Sequence, residues 1–184
     1  MYKRQDEILS LVCGFLEDAS IDYVLVGGLA VNFYGLPRTT MDIDLILQIE
    51  EGEIPKLIEF LKRNDFFANA EDLKNALKEK SHFTVQDKKS MIRLDLKGIY
   101  SEMDRHTLER RGSFEYRGTK IYIASAEDTI ANKLVFGSEQ DLKDAEGILI
   151  RQAGKLDTKY LEKICGEMGV ERELAEIKRR AGVK

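Results

Sequence analysis

Asp42 and Asp44 flank Ile43 in the run Met41-Asp42-Ile43-Asp44-Leu45, where carboxylates and aliphatic side chains alternate as on a β-strand. Residues two apart on an extended strand share a face, with Cα atoms about 6–7 Å apart. Both carboxylates would then project together while Ile43 points into the core. Like charges that close repel unless a cation lies between them. Magnesium suits such a place, because it takes carboxylate oxygens and keeps water and phosphate ligands. Upstream, Gly27-Gly28 separates an apolar strand from a helical stretch. Glycine backbone can approach a phosphate closely, and a helix N-terminus offers N–H groups and partial positive charge to it. A plain tight turn would use the same two glycines. A third carboxylate, Asp95, lies in Arg93-Leu94-Asp95-Leu96-Lys97, on the face away from the leucines. It belongs either to a solvated polar face or beside the aspartate pair on a neighbouring strand. A phosphate-binding loop facing a magnesium platform is what triphosphate chemistry requires.

Gly27-Gly28, thirteen residues and then Asp42-Ile43-Asp44, with Asp95 on a later strand, resembles the nucleotidyltransferase superfamily that shares the DNA polymerase beta-like fold. The wording Gly27-Gly28-Leu29-Ala30 and Tyr34-Gly35-Leu36-Pro37-Arg38-Thr39-Thr40-Met41-Asp42 is similar to small prokaryotic members, the abortive-infection toxin-like nucleotidyltransferases among them. The resemblance covers roughly residues 20–150 and extends to Lys133, Asp141 and Asp144 in later helical motifs. Tyr34 and Gln140 stand where many relatives carry histidine and arginine.

The resemblance implies a transfer of a nucleoside monophosphate from a nucleoside triphosphate such as ATP, with pyrophosphate leaving. Asp42, Asp44 and Asp95 would bind two magnesium ions, and Gly27 and Gly28 would hold the triphosphate. Arg38 and Lys133 would neutralise phosphate charge, with Asp141 and Asp144 orienting Lys133 or serving as a base. Read as ordinary residues, Lys133 is a solvated lysine, Arg38 caps its loop or pairs with an aspartate, and Asp141 and Asp144 serve the surface or helix packing. The acceptor is open among tRNA, a protein and a small molecule. The alternative is a non-catalytic nucleotide- or partner-binding module on the same fold, and membership of a toxin–antitoxin pair fits either reading.

The positioning elements follow from periodicity. Helical patterns cover residues 3–18, 29–34, 55–64, 70–80 and 102–111. Strand patterns cover 23–26, 43–49, 82–86, 91–97, 113–116 and 120–124, the last two as a hairpin around Arg117-Gly118-Thr119. From Ser125 onward the chain reads as helices at 126–136, 139–152, 157–167 and 170–180, with Ser125 and Asp128 as a capping-box-like start. The expected fold is α/β (α+β), a nucleotidyltransferase-like mixed sheet flanked by helices. Its expected parts are a core at 1–124 and a helical region at 125–184 packed on it.

Composition narrows the function classes. The 184 residues carry 29 basic and 33 acidic side chains, a net charge of −4, so no basic total supports extended duplex DNA binding. Cys13 and Cys165 fall in helical patterns and read as buried free thiols. His82 and His106 have no metal-ligand spacing. With no apolar run of membrane length and no signal-like N-terminus, the expectation is a cytoplasmic protein without a membrane partner. Oligomeric state is left open.

Overall fold

The computed structural model describes residues 3–183. The described helices are α1 (Gln5–Asp18), α2 (Gly27–Tyr34), α3 (Ile54–Arg63), α4 (Ala70–Lys78), α5 (Glu102–Glu109), α6 (Ala126–Phe136), α7 (Glu139–Arg151), α8 (Thr158–Glu167) and α9 (Glu171–Ala181). The strands are β1 (Asp22–Val26), β2 (Asp42–Gln48), β3 (Phe83–Gln86), β4 (Arg93–Lys97), β5 (Gly112–Tyr116) and β6 (Thr119–Ile123). They form two compact units. One holds the chain up to Val26 together with Thr40–Ile123; the other holds Gly27–Thr39 and the chain from Ala124 on. None of the described helices is long and apolar enough to cross a membrane.

The first unit contains the whole described sheet, ordered β3-β4-β2-β1-β6-β5. The sheet is mixed, as expected. β1 runs antiparallel to β2, β2 parallel to β4, and β3 antiparallel to β4. β6 lies parallel to β1 and antiparallel to β5. Alternation sets the faces: Ile43, Leu45, Leu94 and Leu96 are buried, whereas Asp42, Asp44, Asp95 and Lys97 are half-buried and Arg93 is exposed. Ile43 is fully buried, and that burial contributes about 1.5–3 kcal/mol. α1 packs on β1 and β6, burying Ile8, Val12, Cys13 and Leu16.

Two local departures from periodicity have plain causes. β4 begins at Arg93, two residues later than the pattern predicts, because the backbone N–H of Asp87 donates to Ile92 O (3.1 Å) and extends the turn. Between β5 and β6, Arg117 and Gly118 both have positive φ (51° and 74°). That is the two-residue turn whose twist matches a hairpin.

The second unit is helical. α6 packs on α7 and α8, α7 on α9, and α2 on both α6 and α7. Ser125 caps α6, its Oγ accepting from the N–H of Asp128 (3.0 Å). The Asp128 carboxylate accepts hydroxyls from Ser125 (2.6 Å) and Tyr160 (2.6 Å), joining α6 to α8. Ser138 and Asp141 form a complete capping box at α7. Gly35 lets α2 approach α7: a Cβ there would lie 2.8 Å from Ile148 Cγ1 and 3.2 Å from Ile148 N. Arg151 and Gln152 of the α7 end donate to the carbonyls of Gly35 (2.8 Å) and Tyr34 (2.7 Å), satisfying the open end of α2. Cys13 and Cys165 are buried free thiols.

Candidate active site

In the sheet unit, register decides which carboxylates meet. β2 and β4 pair with Asp42 opposite Arg93 and Asp44 opposite Asp95. Residues opposite each other in a ladder share a face. Asp42, Asp44 and Asp95 therefore stand on one face of two adjacent strands, and Asp44 also lies opposite Val26, the last residue of β1. Asp95 is next to the aspartate pair, as one of its two sequence readings requires.

Each carboxylate has a local setting. Arg93 Nε donates to Asp42 Oδ1 at 2.7 Å, with the two side chains 51% and 30% exposed. The hydrogen bond to Asp42 raises the pKa of Arg93 above the usual guanidinium value; the charge of Asp42 adds to this, then those of Asp95 and Asp44. On β3, Thr84 stands opposite Asp95 and its hydroxyl bonds to that carboxylate. Gln5 of α1 donates to the carbonyls of Thr40 (3.1 Å) and Asp42 (3.4 Å), fixing the entry to β2. Among the described residues no group of three or more His, Cys, Asp or Glu side chains is already gathered at metal-binding distances.

The other sequence-predicted residues lie in the helical unit. Gly27 opens α2 with φ 64°, a backbone conformation that favours glycine, and Gly28 is buried in the same turn. Arg38 grips Asp144: Nε lies 3.0 Å from Oδ1 and the second guanidinium nitrogen 2.9 Å from Oδ2. The Asn32 amide holds that loop from both sides, accepting from Arg38 N (2.8 Å) and donating to Arg38 O (2.8 Å). Lys133 Nζ sits 2.6 Å from Asp141 and 3.3 Å from Asp144, with its side chain 12% exposed. Gln140 adds a bond to Asp144 at 2.8 Å. Burial works to raise the pKa of Asp144. The bonds from Arg38 and Gln140 and the charges of Arg38 and Lys133 outweigh it, leaving the carboxyl below its usual range. Asp141 is lowered in the same way, with Lys133 and Ser138 overcoming burial. The hydroxyl of Tyr34 is pushed up to about 12 by burial and the charges of Glu127 and Asp128.

Lys133 is thus a largely buried, paired lysine and not a solvated one, and Arg38 pairs with an aspartate. The sequence pattern sets Arg93 and Lys97 on the face of Asp95 but gives neither the pairing of Arg93 with Asp42 nor the contacts of Thr84 and Gln5. Arg93 was accessible in part, because it lies two residues before Asp95 and so shares its face. Only the register placed it at Asp42.

Comparison with curated protein sequences finds no match. Among solved structures the fold is similar to an antigenic nucleotidyltransferase-like protein from Paracoccidioides brasiliensis, with a TM-score of 0.59 and 17% identity over 97% of this chain and 93% of that one. It is similar too to the antibiotic-resistance factor ANT(2″)-Ia in its solution structure, with a TM-score of 0.60 and 13% identity over 96% and 97% of the two chains. The crystal structure of ANT(2″)-Ia with adenylyl-2″-tobramycin gives a TM-score of 0.58 and 10% identity over 90% and 97%. At these identities the likeness establishes the fold. Membership follows from the sequence pattern of the family described as nucleotidyltransferase of unknown function (DUF6036), which matches residues 6–181. The chain belongs to that nucleotidyltransferase family.

Proposed function

We propose that the protein is a divalent-metal-dependent nucleotidyltransferase, moving a nucleoside monophosphate from a nucleoside triphosphate to an acceptor with release of pyrophosphate. The observation that carries this reading is the register of β2 and β4, which puts Asp44 opposite Asp95 with Asp42 on the same face. Family membership supports it.

The residue types on this face suit a hard divalent ion. The donor set is all carboxylate oxygen, and a cationic group, the Arg93 guanidinium, already lies against Asp42. Asp42, Asp44 and Asp95 would hold magnesium. When bound, the metal supplies charge neutralisation at the phosphates and a Lewis acid at the phosphoryl oxygens.

The remaining roles belong to the chain. The first N–H groups of α2, from Gly27 and Gly28, lack intrahelical partners and suit a phosphate oxygen. Lys133 and Arg38 are the candidates for countering triphosphate charge, held by Asp141 and Asp144. In the reaction, an acceptor oxygen bonds to the α-phosphorus and the bond to the pyrophosphate oxygen breaks on the opposite side. The acceptor proton leaves to solvent. The acceptor is a tRNA, a protein or a small molecule.

Two observations favour a second reading, nucleotide or partner binding without transfer: Asp42 is already ion-paired, and the three carboxylates are not gathered on one point among the described residues. Asp44→Asn separates the two. Transfer of label from an α-labelled triphosphate should fall by at least about a hundredfold, since several kcal/mol of metal stabilisation is removed. An unchanged rate would overturn the catalytic role of the carboxylates.

A further inference from the structure

β4 carries two cations on the carboxylate face, and they are used differently. Lys97 Nζ lies 2.7 Å from Asp104 of α5, so its charge is committed to that helix. Arg93 points the other way, across the β2–β4 ladder, and donates to Asp42 through a single nitrogen at 2.7 Å. The charges of Asp95 and Asp44 act on the same guanidinium. Of the two β4 cations, Arg93 is the one that offsets the repulsion among the three aspartates. Its contact is the kind that opens easily: one hydrogen bond, with both partners in partial contact with water.

Resting on the metal-binding reading above, we propose that Arg93 is a resident counter-ion of Asp42 that competes with the divalent cation. A guanidinium bonded to Oδ1 lowers the negative potential that a metal ion would feel at Asp42, and its own charge repels the ion. Loading the site therefore requires the Arg93–Asp42 pair to open. Arg93 is a positioning residue in this scheme, setting metal affinity through Asp42. It also reduces the uncompensated negative charge on the carboxylate face when metal is absent.

The test uses Mn²⁺ alone, titrated at low ionic strength and followed by the spin-resonance signal of the free ion. Wild type, Arg93→Gln, Arg93→Lys and Asp44→Asn are compared, each confirmed as folded by circular dichroism. Arg93→Gln removes the charge and retains a polar side chain, and it should tighten Mn²⁺ binding about tenfold, the order expected for one nearby charge in a partly solvated site. Arg93→Lys should stay within about twofold of wild type, because the charge is kept. The Mn²⁺-induced rise in melting temperature should be larger in Arg93→Gln, since ligand linkage follows affinity. If Arg93→Gln binds Mn²⁺ no tighter than wild type while Asp44→Asn loses binding, the competitor role is overturned and the carboxylate site stands. If Arg93→Lys binds as tightly as Arg93→Gln, charge competition is overturned. If neither wild type nor Arg93→Gln binds Mn²⁺, the inference fails together with the metal-binding reading beneath it.

Discussion

Asp144 is the residue on which the charges of the helical unit converge. Its side chain is only 3% exposed and takes Arg38, Lys133 and Gln140 at once. A buried carboxylate is tolerated only where its partners are in place, and removing one member of such a set leaves buried charge uncompensated. Asp144→Asn should therefore lower unfolding stability by about 3 kcal/mol in urea titrations. Lys143→Ala, which removes an exposed contact to Glu139, should change it by less than about 0.5 kcal/mol. Acid titration carries the same information. Asp144 and Asp141 have lowered pKa values in the fold, so their stabilisation is complete above the unfolded-state value near 3.9 and is lost as pH falls through the lower folded values. Stability should drop with acidification below about pH 4, and Asp144→Asn should show a shallower drop when melting temperature is followed against pH.

Elements place these residues by close approach as much as by periodicity. α2 reaches α7 only because Gly35 has no side chain, and two of the three atoms nearest to a Cβ there, Ile148 N and Val31 O, are backbone and unable to swing aside. Gly35→Ala should cost about 1–3 kcal/mol in unfolding measurements. It should also reduce native-state hydrogen-exchange protection at the start of α2, around Gly27 and Gly28. The strand and helix pattern was largely legible in the sequence, because alternation and the 3.6-residue period are local signals. Asp42, Ile43 and Asp44 show this: the order of residues alone put both carboxylates on one face and Ile43 in the core, and Ile43 is fully buried. The pairing of β2 with β4 is different in kind. It joins strands about fifty residues apart, and no local pattern encodes which strands become neighbours. For that reason local pattern leaves Asp95 between two settings and gives no partner for Arg93, whereas the register supplies both. The same limit hid the Arg38–Asp144 grip, made between residues 106 apart in sequence.

Across the chain, charge bears directly on the proposed binding of a triphosphate. The chain has a net charge of −4, and the sheet unit presents three aspartates on one face. In the helical unit Arg38 and Lys133 are already matched by Asp144 and Asp141. On the proposed reading, a polyanionic nucleotide would meet candidate phosphate ligands that are already charge-balanced, and the positive charge it needs would arrive with a divalent ion. Binding should therefore depend strictly on a divalent ion and on the β2 carboxylates. The most direct measurement is calorimetric titration of a non-hydrolysable nucleoside triphosphate, tried for each of the common bases. It would use wild type and an Asp42→Ala/Asp44→Ala double variant, with magnesium and with chelator. Dependence on a divalent ion and the β2 carboxylates means that the wild type binds in magnesium only and that binding is lost in the double variant while its fold is retained. Binding that persists in chelator and in the double variant, or no binding of any triphosphate by the wild type, would contradict it.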